Sequence, residues 1–270
     1  MKRDSRPAGP LRPRRAERSH APKALYLMGI DAIHVTCTGE SLVITTPGGG
    51  SQRVPLNRIM RVVCNASTQW SGTALATCLE RGIPMSWIDG GGGPLGQLWP
   101  IRQHGSPMSE LLDALASDDP DWPQVYSNWL RRERLLVLKG WAERRREAGC
   151  EVHLVEWQQA LQAWVYRAEV HPVLPPVLHG MATAFVASQL VEHALPERWV
   201  GVYGEDMPLA NDVTKLVWAG MNLDAGPLAA AIDRPAEAAA VFERWAPACA
   251  SAMHQHLSRL HGLARRRFRA

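Results

Sequence analysis

Ser41-Leu42-Val43-Ile44-Thr45-Thr46-Pro47-Gly48-Gly49-Gly50-Ser51-Gln52-Arg53-Val54-Pro55-Leu56-Asn57-Arg58-Ile59-Met60-Arg61-Val62-Val63-Cys64-Asn65 decides the class of fold. It holds three short runs of β-favouring residues, 41–46, 52–55 and 58–65, and Pro47-Gly48-Gly49-Gly50 is a good hairpin connection between the first two. Towards the N-terminus two more such runs, 25–30 and 32–37, are followed by the turn Thr38-Gly39-Glu40. Towards the C-terminus, 70–81 reads as a helix with Ser71 as N-cap, Leu75 and Leu79 on one face, and Gly82 as its stop. An extended run at 83–89, a glycine turn at 90–93 and a last strand at 96–101 complete a β-rich region. Glycine runs also build phosphate loops, but no Gly-Lys-Ser/Thr follows this one and the next element is a strand, so 90–93 reads as a hairpin turn.

Beyond residue 104 the strand pattern ends. Segments 109–116, 124–147, 152–167, 177–194, 212–219 and 235–268 are helical in composition and period. Strands followed by helices define an α+β chain of two domains: a β-rich unit over 24–103 and an all-α unit over 104–270, preceded by a basic tail, 1–23, expected to be disordered. The formal charge of +4 hides an asymmetry, since residues 1–23 carry +6, Arg265, Arg266, Arg267 and Arg269 add four more, and 24–264 is at −6. Such basic ends suit a phosphate backbone as well as simple solubilisation.

No apolar run approaches the length of a membrane span and no apolar core follows the basic N-terminus, so the expectation is a cytoplasmic protein with no membrane partner. The five cysteines, Cys37, Cys64, Cys78, Cys150 and Cys249, include no Cys-x-x-Cys pair and read as buried, reduced thiols. The eleven tryptophans fall mostly at core spacings, as Trp157 with Trp164 does, while Trp70 and Trp87 are candidates for base stacking. Gly-x-Ser-x-Gly, His-Glu-x-x-His and dinucleotide-binding patterns are absent.

A second stretch bears on chemistry: Gly201-Val202-Tyr203-Gly204-Glu205-Asp206-Met207-Pro208-Leu209-Ala210-Asn211-Asp212-Val213-Thr214-Lys215-Leu216-Val217. It resembles the metal-site signature of the CRISPR-associated endonuclease/integrase family, which inserts new spacers into CRISPR arrays. That signature reads Gly-apolar-apolar-His, a polar loop, then Asp-x-x-Asp/Glu opening a helix. Here Gly204 stands where the histidine belongs and Lys215 where the second acid belongs. The β-rich region resembles the same family's N-terminal domain in four ordered blocks, the last being Gly82-Ile83-Pro84-Met85-Ser86-Trp87-Ile88-Asp89 and the following Gly-x-Leu at 96–98. Pro172-Val173-Leu174-Pro175-Pro176-Val177-Leu178-His179-Gly180-Met181 is similar to the family's Pro-Val-Asn helix with the asparagine lost; its prolines predict a helix start near Pro176 or Val177.

The resemblance implies a site of Glu, His and Asp/Glu holding Mg²⁺ or Mn²⁺ for phosphodiester transfer. The counterparts are Glu156, in Leu154-Val155-Glu156-Trp157, and Asp212, candidate catalytic residues and metal ligands. Each has a plain alternative, a solvated helix glutamate for Glu156 and a helix-start acid for Asp212. Lys215 is a cation without an acceptor and repels a metal ion. Glu205 and Asp206, or His153, His171 and His179, are possible replacements. Arg131, Arg132, Arg134, Lys139, Arg144, Arg145 and Arg146 are the candidate nucleic-acid residues, the alternative being a solvated helix face.

The resemblance further implies a homodimer through the β-rich domains, whose strands within 41–65 would line the interface. It implies a small ferredoxin-like adaptation partner bridging two dimers, and DNA, either prespacer-like duplex or CRISPR repeat, as ligand. Three readings follow: a DNA-binding adaptation protein with an impaired nuclease/integrase centre and a structural or accessory role, an active metal-dependent endonuclease/integrase with displaced ligands, and a non-enzymatic scaffold unrelated to CRISPR.

Overall fold

Two four-stranded sheets and seven helices make up the computed structural model over its described residues, 22–29, 31–100, 106–170, 173–195, 208–225 and 235–269. The strands are β1 (Lys23–Leu27), β2 (Ile33–Thr38), β3 (Ser41–Thr45), β4 (Ser51–Pro55), β5 (Ile59–Cys64), β6 (Thr68–Trp70), β7 (Met85–Ile88) and β8 (Pro94–Leu98). The helices are α1 (Gly72–Glu80), α2 (Pro107–Asp118), α3 (Trp122–Glu147), α4 (Leu154–Ala160), α5 (Pro176–Glu192), α6 (Leu209–Leu223) and α7 (Pro235–Phe268). The α+β reading and its order, strands first and helices after, describe the molecule. The N-terminal tail lies outside the described residues up to Ala21; Lys23, read as part of it, is the first residue of β1.

One sheet runs β4-β3-β2-β6 and the other β1-β5-β7-β8, with β5 parallel to both β1 and β7 and β8 closing antiparallel on β7. Between the two sheets sits a core of Val35, Leu42, Ile44, Val62, Cys64, Met85 and the inner side of α1, Ala74 and Cys78. The second sheet is also covered on its far face, because Val63 and Ile88 join the core of the helical region. Side chains alternate along a strand, so β5 must be apolar at nearly every position to serve two cores. Its register against β1 shifts after the Lys23–Ile59 pair, an irregularity that leaves Met60 out of the pairing.

This arrangement corrects the expected dimer interface. β5 is enclosed between β1 and β7 and between two cores, with five of its six residues buried, so it lines no interface with a second chain. Within 41–65 only β3 and the edge strand β4 remain open to one.

The turn signals are used as read. Ser71 caps α1 by accepting from the Ala74 amide at 3.2 Å, and Gly82 follows the helix at φ +73°. The glycine run joins β7 to β8 with the Gly93 amide on Asp89 Oδ1 at 2.7 Å. α5 starts at Pro176, where a missing N–H costs nothing. The chain leading into α5 is fixed from α6, since Asn222 Oδ1 accepts from the Val173 and Leu174 amides at 2.9 and 3.0 Å.

The helix read over 152–167 begins at Leu154 and passes into a π-helical segment, Leu161–Tyr166. The wider turn sets Trp164 against α3, with its indole N–H on the Arg134 carbonyl at 3.0 Å. No helix among the described residues is long and apolar enough to cross a membrane. Of the thiols, Cys64, Cys78 and Cys249 are buried, while Cys37 is half-buried and Cys150 exposed. Burial pushes Cys64 up to about 12 and Cys78 and Cys249 up to about 11, so these three are inert at neutral pH.

Candidate functional site

α6 starts at Leu209, three residues before Asp212, and the Asp212 amide already closes a helical bond to the Pro208 carbonyl at 2.8 Å. Asp212 is therefore not the cap of this helix. Its carboxylate turns inward, 7 % exposed, and accepts from the Tyr126 hydroxyl of α3 at 3.0 Å. Burial raises the Asp212 pKa; the Tyr126 hydrogen bond and the charges of Lys215 and Arg134 pull it down without cancelling that effect. Tyr126 is itself held far above its ordinary range by burial and by the neighbouring carboxylate.

Lys215, one turn along α6, also acts on His179 of α5, whose pKa is lowered by burial and then by the lysine charge. His179 packs edge-on against Trp218, centroids 5.3 Å apart. Arg134 lies with its guanidinium 5.6 Å from the Trp164 ring centre, and its Nε is buried without an acceptor. One buried carboxylate thus takes a tyrosine hydroxyl and lies in the field of two cations, Lys215 and Arg134, and Lys215 in turn neighbours the His179 imidazole.

Among the described residues that donor set alone does not fit Mg²⁺ or Mn²⁺. Both want several oxygen ligands, and the two nearest charged side chains repel a cation. Among the described residues no group of three or more His, Cys, Asp and Glu is placed to hold a metal ion. Gly204, Glu205, Asp206 and His171 lie outside the described residues.

Glu156 does not join Asp212. Its carboxylate pairs with Arg145 at 2.6 Å, and Arg145 is nineteen residues beyond Tyr126 on α3. At the helical rise this is about 28 Å along the axis. Two carboxylates anchored at such distant points cannot share an ion whose bonds are about 2.1 Å long. The pairing of Glu156 with Asp212 as joint metal ligands is therefore corrected: Glu156 is a half-exposed ion-pair partner in the first turn of α4. His153 stands just before that turn, at the same end of α3 and away from Asp212.

The seven basic residues of α3 divide into two groups. Arg134 is taken up beside Asp212. Arg144 pairs with Asp224 at 2.6 Å, and Arg145, besides holding Glu156, lies over the Trp141 ring at 5.4 Å. Arg144, Arg145 and Arg146 also occupy the last turn, where cations complement the helix dipole. Arg131, Arg132, Lys139 and Arg146 are exposed. No ion pair holds any of these four among the described residues. Arg132, Lys139 and Arg146 recur every seven residues and form one stripe about 21 Å long.

Tyr126, Arg134 and, through Arg134, Trp164 belong to the Asp212 cluster without the sequence pattern having assigned them to it, while His179, read as a possible replacement ligand, stands beside Lys215 and Trp218. The spacing of Tyr126 and Arg134 on one helix was the available signal, but nothing marked the face of α3 that meets α6. Trp70 and Trp87 pack on each other edge-on at 6.5 Å, next to the core between the sheets, which is a structural role.

A sequence model of the family described as CRISPR associated protein Cas1 matches residues 25–166. No curated protein matches the chain. Among solved structures, a CAS1 protein from Thermotoga maritima superposes with a TM-score of 0.65 at 11% identity, covering 90% of this chain and 97% of that one. A TtCas1–DNA complex gives 0.54 at 16% identity, with 90% and 92% covered. A casposase bound to its integration product gives 0.53 at 12%, with 88% and 82% covered. At these identities the likeness is one of fold, and it extends through the helical region beyond residue 166. With more than half of the sequence matched by the family model, this chain is a member of the Cas1 family of CRISPR-associated proteins.

Proposed function

We propose that the protein serves CRISPR adaptation as a DNA-binding Cas1-family member whose nuclease/integrase centre is impaired and whose role is structural or accessory. One observation carries this reading: among the described residues the Asp212 carboxylate is neighboured by Tyr126, Lys215 and Arg134 instead of by further acids. Lys215 stands where the family signature has its second acid, and Gly204 where it has histidine. Without a resident divalent ion, little in this cluster activates a nucleophile or stabilises a departing oxygen.

DNA binding needs no metal. The stripe Arg132, Lys139 and Arg146, exposed and without ion pairs among the described residues, with Arg131 beside it, offers phosphate contacts along α3. The proposal includes a homodimer through the β-rich domain, now limited to its β3–β4 side. It also includes a small ferredoxin-like adaptation partner and a cytoplasmic location. A Cas6-RT-Cas1–Cas2 complex is among the similar folds, with a TM-score of 0.57 at 14% identity, covering 91% of this chain and 35% of that one.

The test is a strand-transfer and cleavage assay with prespacer-like duplex and repeat DNA in Mn²⁺ and in Mg²⁺. The expected result is no product above background with either ion, and DNA retention that EDTA leaves unchanged. Cleavage or joining that disappears in Asp212→Ala would establish the active-enzyme reading in its place.

A further inference from the structure

We infer that the groove between α3 and α7 is a phosphate-binding site, built from Trp129, Asn128 and Arg132 on one side and Ser258, Arg259 and Arg266 on the other. The groove encloses about 590 Å³. Trp129 is 4 % exposed, forms part of the lining, and its indole Nε1 is buried with no acceptor. Trp129 is not displaced or loose: its ring packs on Tyr126 with centroids 5.2 Å apart. The Trp70 and Trp122 indoles are also buried without an acceptor, but of the three only Trp129 lines this groove beside unpaired cations, where a ligand oxygen supplies a partner.

The remaining polar groups agree on the sign of that ligand. Asn128 uses its Oδ1 to accept from Gln124 at 3.2 Å, which leaves its NH₂ to donate into the groove's surroundings. Ser258 contributes a hydroxyl, and Arg132 and Arg266 are exposed and held by no ion pair among the described residues. Arg259 is fixed by Glu133, which takes its Nε at 2.9 Å and its Nη2 at 2.6 Å, so Nη1 is the part left for a ligand. Among the described residues no carboxylate lines the groove. A lining of donors and unpaired cations around an orphaned N–H is made for a compact oxyanion with several acceptor oxygens, a phosphate.

The phosphate belongs either to a nucleic-acid strand or to free phosphate. Arg132 begins the stripe that continues through Lys139 and Arg146, so a strand seated in the groove would run on along α3. This assignment rests on the DNA-binding reading above, and the experiment separates the two. The full chain, labelled with ¹⁵N in its tryptophan indoles, is titrated with duplex DNA, single-stranded DNA and inorganic phosphate. Trp129→Phe assigns the Trp129 resonance. In parallel, DNA affinity is measured against salt for the wild type, for Trp129→Phe and for Arg132→Ala/Arg266→Ala.

DNA is expected to move the Trp129 resonance. The double variant should bind at least tenfold more weakly, with the slope of log affinity on log salt reduced by about two. Trp129→Phe should lose a few-fold in affinity with the slope unchanged, because no charge is removed. If inorganic phosphate moves the resonance while neither DNA does, the site stands as a free-phosphate site and the DNA reading fails. If DNA binds while the resonance and the slope stay as in the wild type, the site is refuted and the DNA reading survives. If none of the three ligands moves the resonance, the site is refuted outright.

Discussion

Glu133 is the residue that most needs a physical account. Its carboxylate is wholly buried in the middle of α3, yet it is satisfied, with His256 Nδ1 at 2.7 Å and the Arg259 guanidinium on both oxygens. Burial pushes its pKa up, but the hydrogen bonds and charges of His256 and Arg259 outweigh it and hold the group below the ordinary range. A carboxyl depressed in the folded state contributes stability that is present above its unfolded pKa, about 4.3, and is lost as pH falls through the folded value. Urea melts of the wild type should therefore weaken below about pH 4.3. Glu133→Gln should be less stable at pH 7 by on the order of 2 kcal/mol, and flatter across the acid limb. An unchanged acid limb in the variant would remove Glu133 from the account. The sequence displayed the charge of Glu133 but not its burial, because seven basic neighbours made α3 look like a solvated face. Asp212 was legible for the opposite reason: its place in a family pattern named it. Its partners were not legible, since Tyr126 and Arg134 meet it only through the packing of α3 on α6.

At the scale of elements, strands, turns and helix starts followed from residues that act locally, such as Ser71, Gly82 and Pro176. What depended on distant contacts did not. The π-helical turn at Leu161–Tyr166 has no breaker within it; it seats Trp164 on α3, and the reason lies in the partner helix. Pro247 lies inside α7 and removes the amide that would bond the Glu243 carbonyl, yet the helix continues because both halves are packed. The glycine run was read correctly as a turn, while its second duty stayed hidden. A Cβ on Gly92 would lie 2.0 Å from the Pro176 carbonyl oxygen, and one on Gly180 would lie 2.4 Å from the Gly92 oxygen. The β7–β8 turn thus lies directly on the first turns of α5, backbone against backbone. Gly92 is at φ +85° as well, so it faces both strain and collision. Gly92→Ala and Gly180→Ala should each cost about 1–3 kcal/mol in chemical denaturation, with Gly92→Ala the worse of the two. Gly96→Ala meets open space and serves as the control. Equal melts for all three would show that the turn does not bear on α5.

For the whole molecule, the consequential fact is that the β-rich and helical regions share a layer. The inner strands of the β1-β5-β7-β8 sheet, β5 and β7, are buried on both faces, and on the helical side β5 carries Arg61 at 1 % exposure, between Phe185 and Phe242 at 5.0 and 6.0 Å. Its Nη2 reaches Glu243 of α7 at 2.8 Å, and the Tyr26 hydroxyl of β1 donates to the same carboxylate oxygen at 2.8 Å. A two-domain reading of the sequence is right in element order and misses this junction, because a lone arginine in an apolar strand gives no sign of which helix it will meet. The junction is asymmetric: Arg61 is enclosed, whereas Glu243 stands at the rim, 36 % exposed. Removing the glutamate leaves a buried cation with only the Tyr26 hydroxyl at 3.3 Å from Nη2, while its Nε and Nη1 already lack acceptors. Removing the arginine leaves a carboxylate that water can solvate. Glu243→Ala should therefore cost about 3 kcal/mol, and Arg61→Met, which keeps the volume and drops the charge, clearly less. Because the sheet belongs to both cores, tryptophan emission and far-ultraviolet circular dichroism should trace one coincident transition in the wild type and in Arg61→Met. An early, separate loss of the β-rich signal, or an Arg61→Met cost exceeding that of Glu243→Ala, would mean that the two regions are joined by contact alone and that the buried charge does not couple them.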